Sequence, residues 1–211
     1  MDDDKVKREA EAYVKVNKKV IKERFAGDDI CEPDENPVSI FMAGSPGAGK
    51  TEFSKRFLVE SGLQAVRIDA DEIKAMIPQY TGANSSAVQG ASALAVEYIY
   101  DYVLTKRKNA VFDATFSDFE RSYSNVSRSL RKGRQVEVYY LYQDPIMAWR
   151  FTKICEALEG RVVPLEFFAK SFVDARMTVN RVKEEFGKEV KIHVIVRGYE
   201  NQLEKFRLNV E

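Results

Sequence analysis

Hydrophobic and polar positions divide the chain into short apolar runs and longer amphipathic stretches that alternate. Residues 38–43 are apolar on both faces, as a buried parallel strand should be. Runs at 65–68, 110–112, 135–142 and 190–196 read as further strands. Between them the apolar spacing is helical at 52–61, at 69–77, at 87–107, from the Ser- and Arg-rich segment to Lys132, at 145–158 and at 165–186. Gly62, Pro78 and Gly133 stop three of these helices, and TGANSS at 81–86 is a polar loop. A closing helix is expected at 200–208.

Residues 5–26 carry Val6, Tyr13, Val16, Val20, Ile21 and Phe25 among charges, which predicts one amphipathic helix lying on the domain. The expected organisation is a helix and acidic loop at 1–36 packed on a core domain at 37–211. Five strands alternating with helices predict an α/β fold, a three-layer sandwich around a mainly parallel sheet, with a helical lid at about 145–165. Ligands of such sheets sit at the carboxyl ends of the strands.

GSPGAGKT, at 44–51, occupies that place: it follows the first strand and opens a helix. This is the context that a G-x-x-x-x-G-K-[ST] phosphate loop requires, and it makes the fold P-loop kinase-like. Gly44, Ser45, Pro46, Gly47, Ala48 and Gly49 would turn backbone N–H groups onto phosphate oxygens at a helix N-terminus. Lys50 would reach the β- and γ-phosphates of ATP, and the Thr51 hydroxyl would hold Mg²⁺. The chain lacks N-K-x-D, a D-x-x-G switch after the third strand and an LSGGQ-like signature, so a GTPase or transporter ATPase fits poorly.

Charge and composition narrow the chemistry. Lys plus Arg and Asp plus Glu each number 33 in 211 residues, so the basic footprint of a nucleic-acid binder is missing. No apolar run approaches a membrane span and no signal-peptide pattern is found, so a cytoplasmic protein without membrane partners is expected. Cys31 and Cys155 suggest neither a disulfide framework nor a zinc site. With His193 the sole histidine, any general base must be a carboxylate. Candidates are Asp69 and Asp71 after the second strand and Asp113 at the end of the third. Asp69 also suits a helix cap, and Asp113 could serve the Mg²⁺ shell or the acceptor. Thr115 would share that crevice, and Arg150 and Arg161 would neutralise the transferring group.

On these residues the chain resembles the zeta toxin family of bacterial small-molecule kinases, from about Ile40 to Pro164 and again over the last strand and its RGYEN loop. The resemblance matches GSPGAGKT to the family's phosphate loop and Ile68-Asp69-Ala70-Asp71 to its I-D-x-D turn, which implies Asp71 as catalytic base. It matches Glu97 to a substrate-binding glutamate and Asp113-Ala114-Thr115 to the family's E-G-T. Arg150 and Arg161 match its two lid arginines. Phe116 and Ser117 stand where a glycine and an arginine often follow the family's threonine.

The resemblance implies transfer of phosphate from ATP to the 3′-hydroxyl of the amino sugar in UDP-N-acetylglucosamine, and a small helical antitoxin that blocks the ATP site. Adenine is expected near 197–201. Two other readings remain: a polynucleotide 5′-hydroxyl kinase, using a patch drawn from Lys106, Arg107, Lys108, Arg121, Arg128, Arg131, Lys132 and Arg134, and a non-catalytic ATP-binding interaction module.

Overall fold

The computed structural model describes residues 3–160, 162–198 and 203–210. Its sheet has six strands in the order β2-β3-β1-β4-β5-β6: β1 Val38–Ala43, β2 Val66–Asp69, β3 Ala110–Asp113, β4 Gln135–Gln143, β5 Val190–Arg197 and β6 Leu203–Arg207. The first five are parallel, and β6 runs antiparallel along β5. The sheet therefore gains a strand over the five expected; of the helix expected at 200–208, residues 203–207 form that strand and 200–202 lie outside the described residues. The reason lies outside the segment: Leu203 and Phe206 stand three apart, a helical spacing, and it is the antiparallel pairing with β5 that makes these residues a strand.

Alternation along β1 assigns the layers. Ile40 and Met42 face α3 (Lys50–Ser61), packing with Phe53, Phe57 and Leu58 together with Tyr139, Leu141 and Ile195. Phe41 and Ala43 face the opposite side. There α5 (Gln89–Thr105), α6 (Phe119–Arg131) and α8 (Leu165–Phe186) bury Ile99, Tyr100, Val126, Val179 and Val182 against the sheet. The short α4 (Ala70–Lys74) links β2 to the loop before α5, and α7 (Pro145–Glu159) follows β4.

The single N-terminal helix expected at 5–26 is two, α1 (Asp3–Val16) and α2 (Lys18–Ala26), broken at Asn17, whose side-chain amide donates to the Tyr13 carbonyl at 2.9 Å. The break changes the buried stripe to Val6, Ala10, Val14, Ile21 and Ala26; Val16 and Val20, expected inside, are 81% and 60% exposed. Lys108 ties this layer down, since its buried ammonium donates to the Ala26 carbonyl at 2.7 Å and to Asp28 at 2.6 Å. Arg134 is buried too, donating to Ser39 Oγ and to the carbonyls of Val38 and Lys108. Two of the eight cations considered for a basic surface patch are thus internal fastenings.

Candidate active site

β1 delivers the chain into the phosphate loop, and three elements enclose it. A Cβ added at Gly47, where φ is +70°, would stand 2.0 Å from the Ala148 carbonyl and 2.6 Å from Thr152 Oγ1, both on α7. One at Gly49, where φ is +81°, would meet Arg197 Nη1 at 2.4 Å. Only glycine adopts such backbone angles cheaply and leaves room for this approach. Arg197 Nη1 donates to the Gly49 carbonyl at 3.2 Å, so the end of β5 touches the loop. Of the segment expected to meet adenine, Arg197 is therefore beside the loop, and residues 199–201 lie outside the described residues.

Lys50 is buried and folds back over the loop, its ammonium donating to the carbonyls of Gly44 and Ser45 at 3.0 and 2.7 Å. Thr51 follows in the first turn of α3. One turn on, Ser54 Oγ donates to Asp113 Oδ2 at 3.0 Å and to the Thr51 carbonyl at 3.1 Å. The strand-end carboxylate is thereby coupled to the helix that carries Thr51. Among the described residues, no group of three or more His, Cys, Asp or Glu side chains could hold a metal. Mg²⁺ would have to be held by the Thr51 hydroxyl with phosphate oxygens, the arrangement the ion favours in nucleotide sites.

Parallel pairing sets Asp69 directly opposite Asp113, and Arg67 joins them. Its Nη1 donates to Asp113 Oδ2 at 2.6 Å and to Asp69 Oδ2 at 2.9 Å, while Nη2 donates to Glu72. Arg67 was not singled out by sequence reasoning. The available signal was a charge inside an apolar strand, two residues before a carboxylate and so on the same face. Burial chiefly, and then the charge of Asp69, raises the Asp113 pKa against the opposing pull of Lys50, Arg67 and Ser54. Burial pulls the Arg67 pKa down, but Asp69, Asp113 and Glu72 outweigh it and hold the guanidinium charged.

Asp69 spends both oxygens on structure, Oδ2 on Arg67 and Oδ1 on the Asp71 N–H at 2.8 Å, where it caps α4. The Asp71 side chain is 38% exposed and receives Lys74 Nζ at 3.2 Å. Lys74 was also missed. It is nearly buried, its pKa is lowered by desolvation, and its ammonium also reaches Ser85 Oγ at 3.0 Å.

Thr115 lies in the turn after β3. Its carbonyl accepts from the Gly44 N–H at 3.0 Å, and its hydroxyl pairs with Ser117 Oγ at 2.8 Å. Glu97, on α5, accepts from Arg128 Nη1 at 2.7 Å, and Arg128 also pairs with Asp101 and stacks on Tyr100. Arg128 therefore serves the α5–α6 junction, a third cation withdrawn from the basic patch. Arg150 is not brought to the loop. Ala148 and Thr152 make the α7 contact there, whereas Arg150 lies roughly 180° around that helix by the usual turn per residue and is exposed, near Met147 Sδ at 3.9 Å. Arg161 lies outside the described residues.

A family model described as zeta toxin matches residues 22–207. That match begins inside α2, earlier than the motifs alone suggest. No curated protein matches the sequence. The chain is similar to a solved structure from the PezAT chromosomal toxin–antitoxin system of Streptococcus pneumoniae, with 16% identity, a TM-score of 0.69, and coverage of 94% of this chain and 80% of that one. It is similar to the AvrRxo1-ORF1:-ORF2 complex at 14% identity, TM-score 0.66, covering 98% and 68%. A chain of the Pnkp1/Rnl/Hen1 RNA repair complex follows at 16% identity, TM-score 0.54, covering 70% of this chain and 47% of that one. At such identities the likeness is one of fold. With a P-loop kinase fold and a family match across most of its length, the chain belongs to the zeta toxin family.

Proposed function

We propose that this protein is an ATP- and Mg²⁺-dependent kinase that phosphorylates a sugar hydroxyl of a UDP-activated amino sugar such as UDP-N-acetylglucosamine, acting as a bacterial toxin. One observation carries the reading: the phosphate loop, the Asp71 turn and the Asp113–Thr115 turn converge at the carboxyl edge of one sheet, bridged by Arg67, Ser54 and Gly44. A nucleotide-binding module that only recruits partners has no need of that second and third element.

In this reading Lys50 leaves its loop carbonyls for the β- and γ-phosphates, and Thr51 holds the ion. When bound, Mg²⁺ supplies charge neutralisation between the β- and γ-phosphates. Asp71 accepts the acceptor hydroxyl's proton as that oxygen bonds the γ-phosphorus and the bond to the β-phosphate oxygen breaks, releasing ADP. The bonding of Asp69 supports this choice, since both its oxygens are committed to the fold. Glu97, Asp113 and Thr115 hold the acceptor. Arg150 and Arg161 close over the transferring group only if α7 and the segment after it move.

The similar structure from a chromosomal toxin–antitoxin system supports a small antitoxin as partner. The polynucleotide kinase alternative loses ground, because Lys108, Arg128 and Arg134 are spent on internal contacts. The test is incubation with ATP, Mg²⁺ and UDP-N-acetylglucosamine, read by mass spectrometry. A sugar nucleotide heavier by one phosphate, absent with Lys50→Ala, is expected. Label transferred instead to a 5′-hydroxyl oligonucleotide would overturn the reading.

A further inference from the structure

The helix α4 is five residues long and ends in Lys74. Asp71 and Lys74 stand three positions apart, so their side chains share one face of it. On an exposed helix such a pair contributes little, because water screens both charges. Here the lysine side chain is 7% exposed and the aspartate's 38%, so the cation is the buried member. A lysine ordinarily runs its stem along apolar surface and leaves its ammonium in water. Lys74 instead turns inward beside the buried Ile73, its Nζ donating to Asp71 Oδ1 at 3.2 Å and to Ser85 Oγ at 3.0 Å.

Both ends of this contact are held. Asp69 Oδ1 accepts the Asp71 N–H at 2.8 Å, which fixes the backbone under the carboxylate. Ser85 belongs to the polar loop 81–86, which Asn84 closes on itself. The Asn84 Nδ2 donates to the Gln79 carbonyl at 2.7 Å, and its Oδ1 accepts the Thr81 N–H at 2.9 Å. Lys74 is thereby a strut between the β2–α4 turn and the loop that leads into α5. Burial lowers its pKa, and the charge of Asp69 opposes that. The other charges nearby are engaged with one another. Arg67 of β2 holds Asp69, Asp113 of β3 and Glu72, and Glu72 also meets Lys55 of α3 at 3.7 Å. Glu97 of α5 takes Arg128, and Lys50 lies on its loop carbonyls.

We propose that Lys74 is a positioning residue for phosphoryl transfer: braced by Ser85, it holds the Asp71 carboxylate in one orientation through Oδ1 and keeps it ionised until the acceptor's proton arrives. This rests on the reading above in which Asp71 is the base. The proton passes from the acceptor hydroxyl to Asp71, and the ammonium keeps its own protons throughout. Two effects follow from one contact. A neighbouring cation favours the carboxylate over the carboxylic acid. A base fixed in line with the hydroxyl avoids the rate loss that a small misplacement causes. Arginine at this position would supply the first effect, but its broad planar fork cannot reproduce a point charge seated between Asp71 and Ser85.

The test uses the full chain and the variants Lys74→Met, Lys74→Arg and Ser85→Ala, with melting curves to check folding. Its first readout needs no acceptor: carbon NMR follows the side-chain carboxyls through a pH titration, and the Asp71 signal is the one missing from Asp71→Asn. That carboxylate should take up its proton at higher pH in Lys74→Met and near the parent's pH in Lys74→Arg. The second readout is turnover with ATP, Mg²⁺ and UDP-N-acetylglucosamine. Lys74→Met should lower kcat roughly 10- to 100-fold, leave KM for ATP within about twofold, and move the acid limb of the pH profile upward. Lys74→Arg and Ser85→Ala should lower kcat several-fold with the acid limb in place. An unmoved Asp71 titration in Lys74→Met, or parental kcat in all three variants, overturns the proposal and leaves the base assignment standing. Should Lys74→Met fail to fold, parental kcat in the other two variants overturns it. Full turnover by Asp71→Asn removes the base, and the proposal with it. If the parent does not phosphorylate that sugar nucleotide, the acceptor assignment fails and the titration alone decides.

Discussion

Arg67 Nη1 and Asp113 Oδ2 are 2.6 Å apart in a pair whose side chains are 11% and 3% exposed, directly beneath the phosphate loop's helix. Removing one partner of such a pair strands the other charge, at a cost of about 3–5 kcal/mol. Arg67→Met should therefore lower the unfolding free energy by about that amount, read from denaturant titration. The carboxylate side behaves differently. Because burial raises the Asp113 pKa, the folded chain holds this proton more tightly than the unfolded one. The resulting stability is fully present below the ordinary value of 3.8 and is lost as pH rises through the folded value. Asp113→Asn lacks that loss and leaves Arg67 paired with Asp69 and Glu72, so at neutral pH it should melt much closer to the parent than Arg67→Met does while turnover collapses. A variant that is both inactive and markedly less stable would mean the carboxylate serves the fold rather than the site.

Asp71 and Asp69 separate on the same logic. Asp71→Asn keeps its shape and most of its surroundings but cannot take a proton, so kcat should fall by several orders of magnitude with ATP affinity nearly unchanged. Asp69→Asn keeps a competent cap for α4 but loses the charge paired with Arg67, so its main effect should be on stability, about 1–3 kcal/mol. Single-turnover rates beside melting curves distinguish the two. Reversed phenotypes would identify Asp69 as the base.

How far the sequence carried this picture depended on whether a signal was local. The phosphate loop, the strand-end carboxylates and five of the strands were legible because each is written in consecutive residues. β6 was not, since its pairing with β5 is what makes it a strand, and the same five residues satisfy a weak helical pattern. The break at Asn17 was hidden because a helical stripe continues across it; only α5, on which both helices pack, reveals that the buried set shifts. Arg67 and Lys74 were missed for the same reason. Each is an ordinary surface cation until tertiary structure places a carboxylate beside it and removes the water.

The loop glycines should not be equally sensitive. At Gly47 an added methyl meets the Ala148 backbone carbonyl at 2.0 Å, and only movement of α7 can relieve it. At Gly49 the obstacle is the flexible end of Arg197, although φ there is also left-handed. Both alanine variants should weaken ATP binding, with Gly47→Ala the more severe by roughly tenfold, since a backbone shift costs more than a side-chain rotation. Titration with a fluorescent ATP analogue measures it. Equal losses would show that backbone angle alone, and not the contact with α7, shapes the loop.

Phe116 supplies the last prediction. It is buried against Phe41, with centroids 5.8 Å apart, yet its φ is +57°, a region that costs a bulky residue strain. The family resemblance puts a glycine at this position, and the angle explains why one would serve there. Phe116→Ala should lose the ring's packing, about 3–5 kcal/mol, and keep the strain. Phe116→Gly loses the same packing but regains about 1–2 kcal/mol from the relaxed backbone, less up to about 1 kcal/mol of chain entropy. Glycine should therefore be the less damaging of the two, by a margin under about 2 kcal/mol, although it is the smaller residue. Chemical denaturation of the pair measures that ordering. Should the alanine variant prove the more stable, the turn that holds Thr115 is not strained, and the resemblance at this position has some other cause.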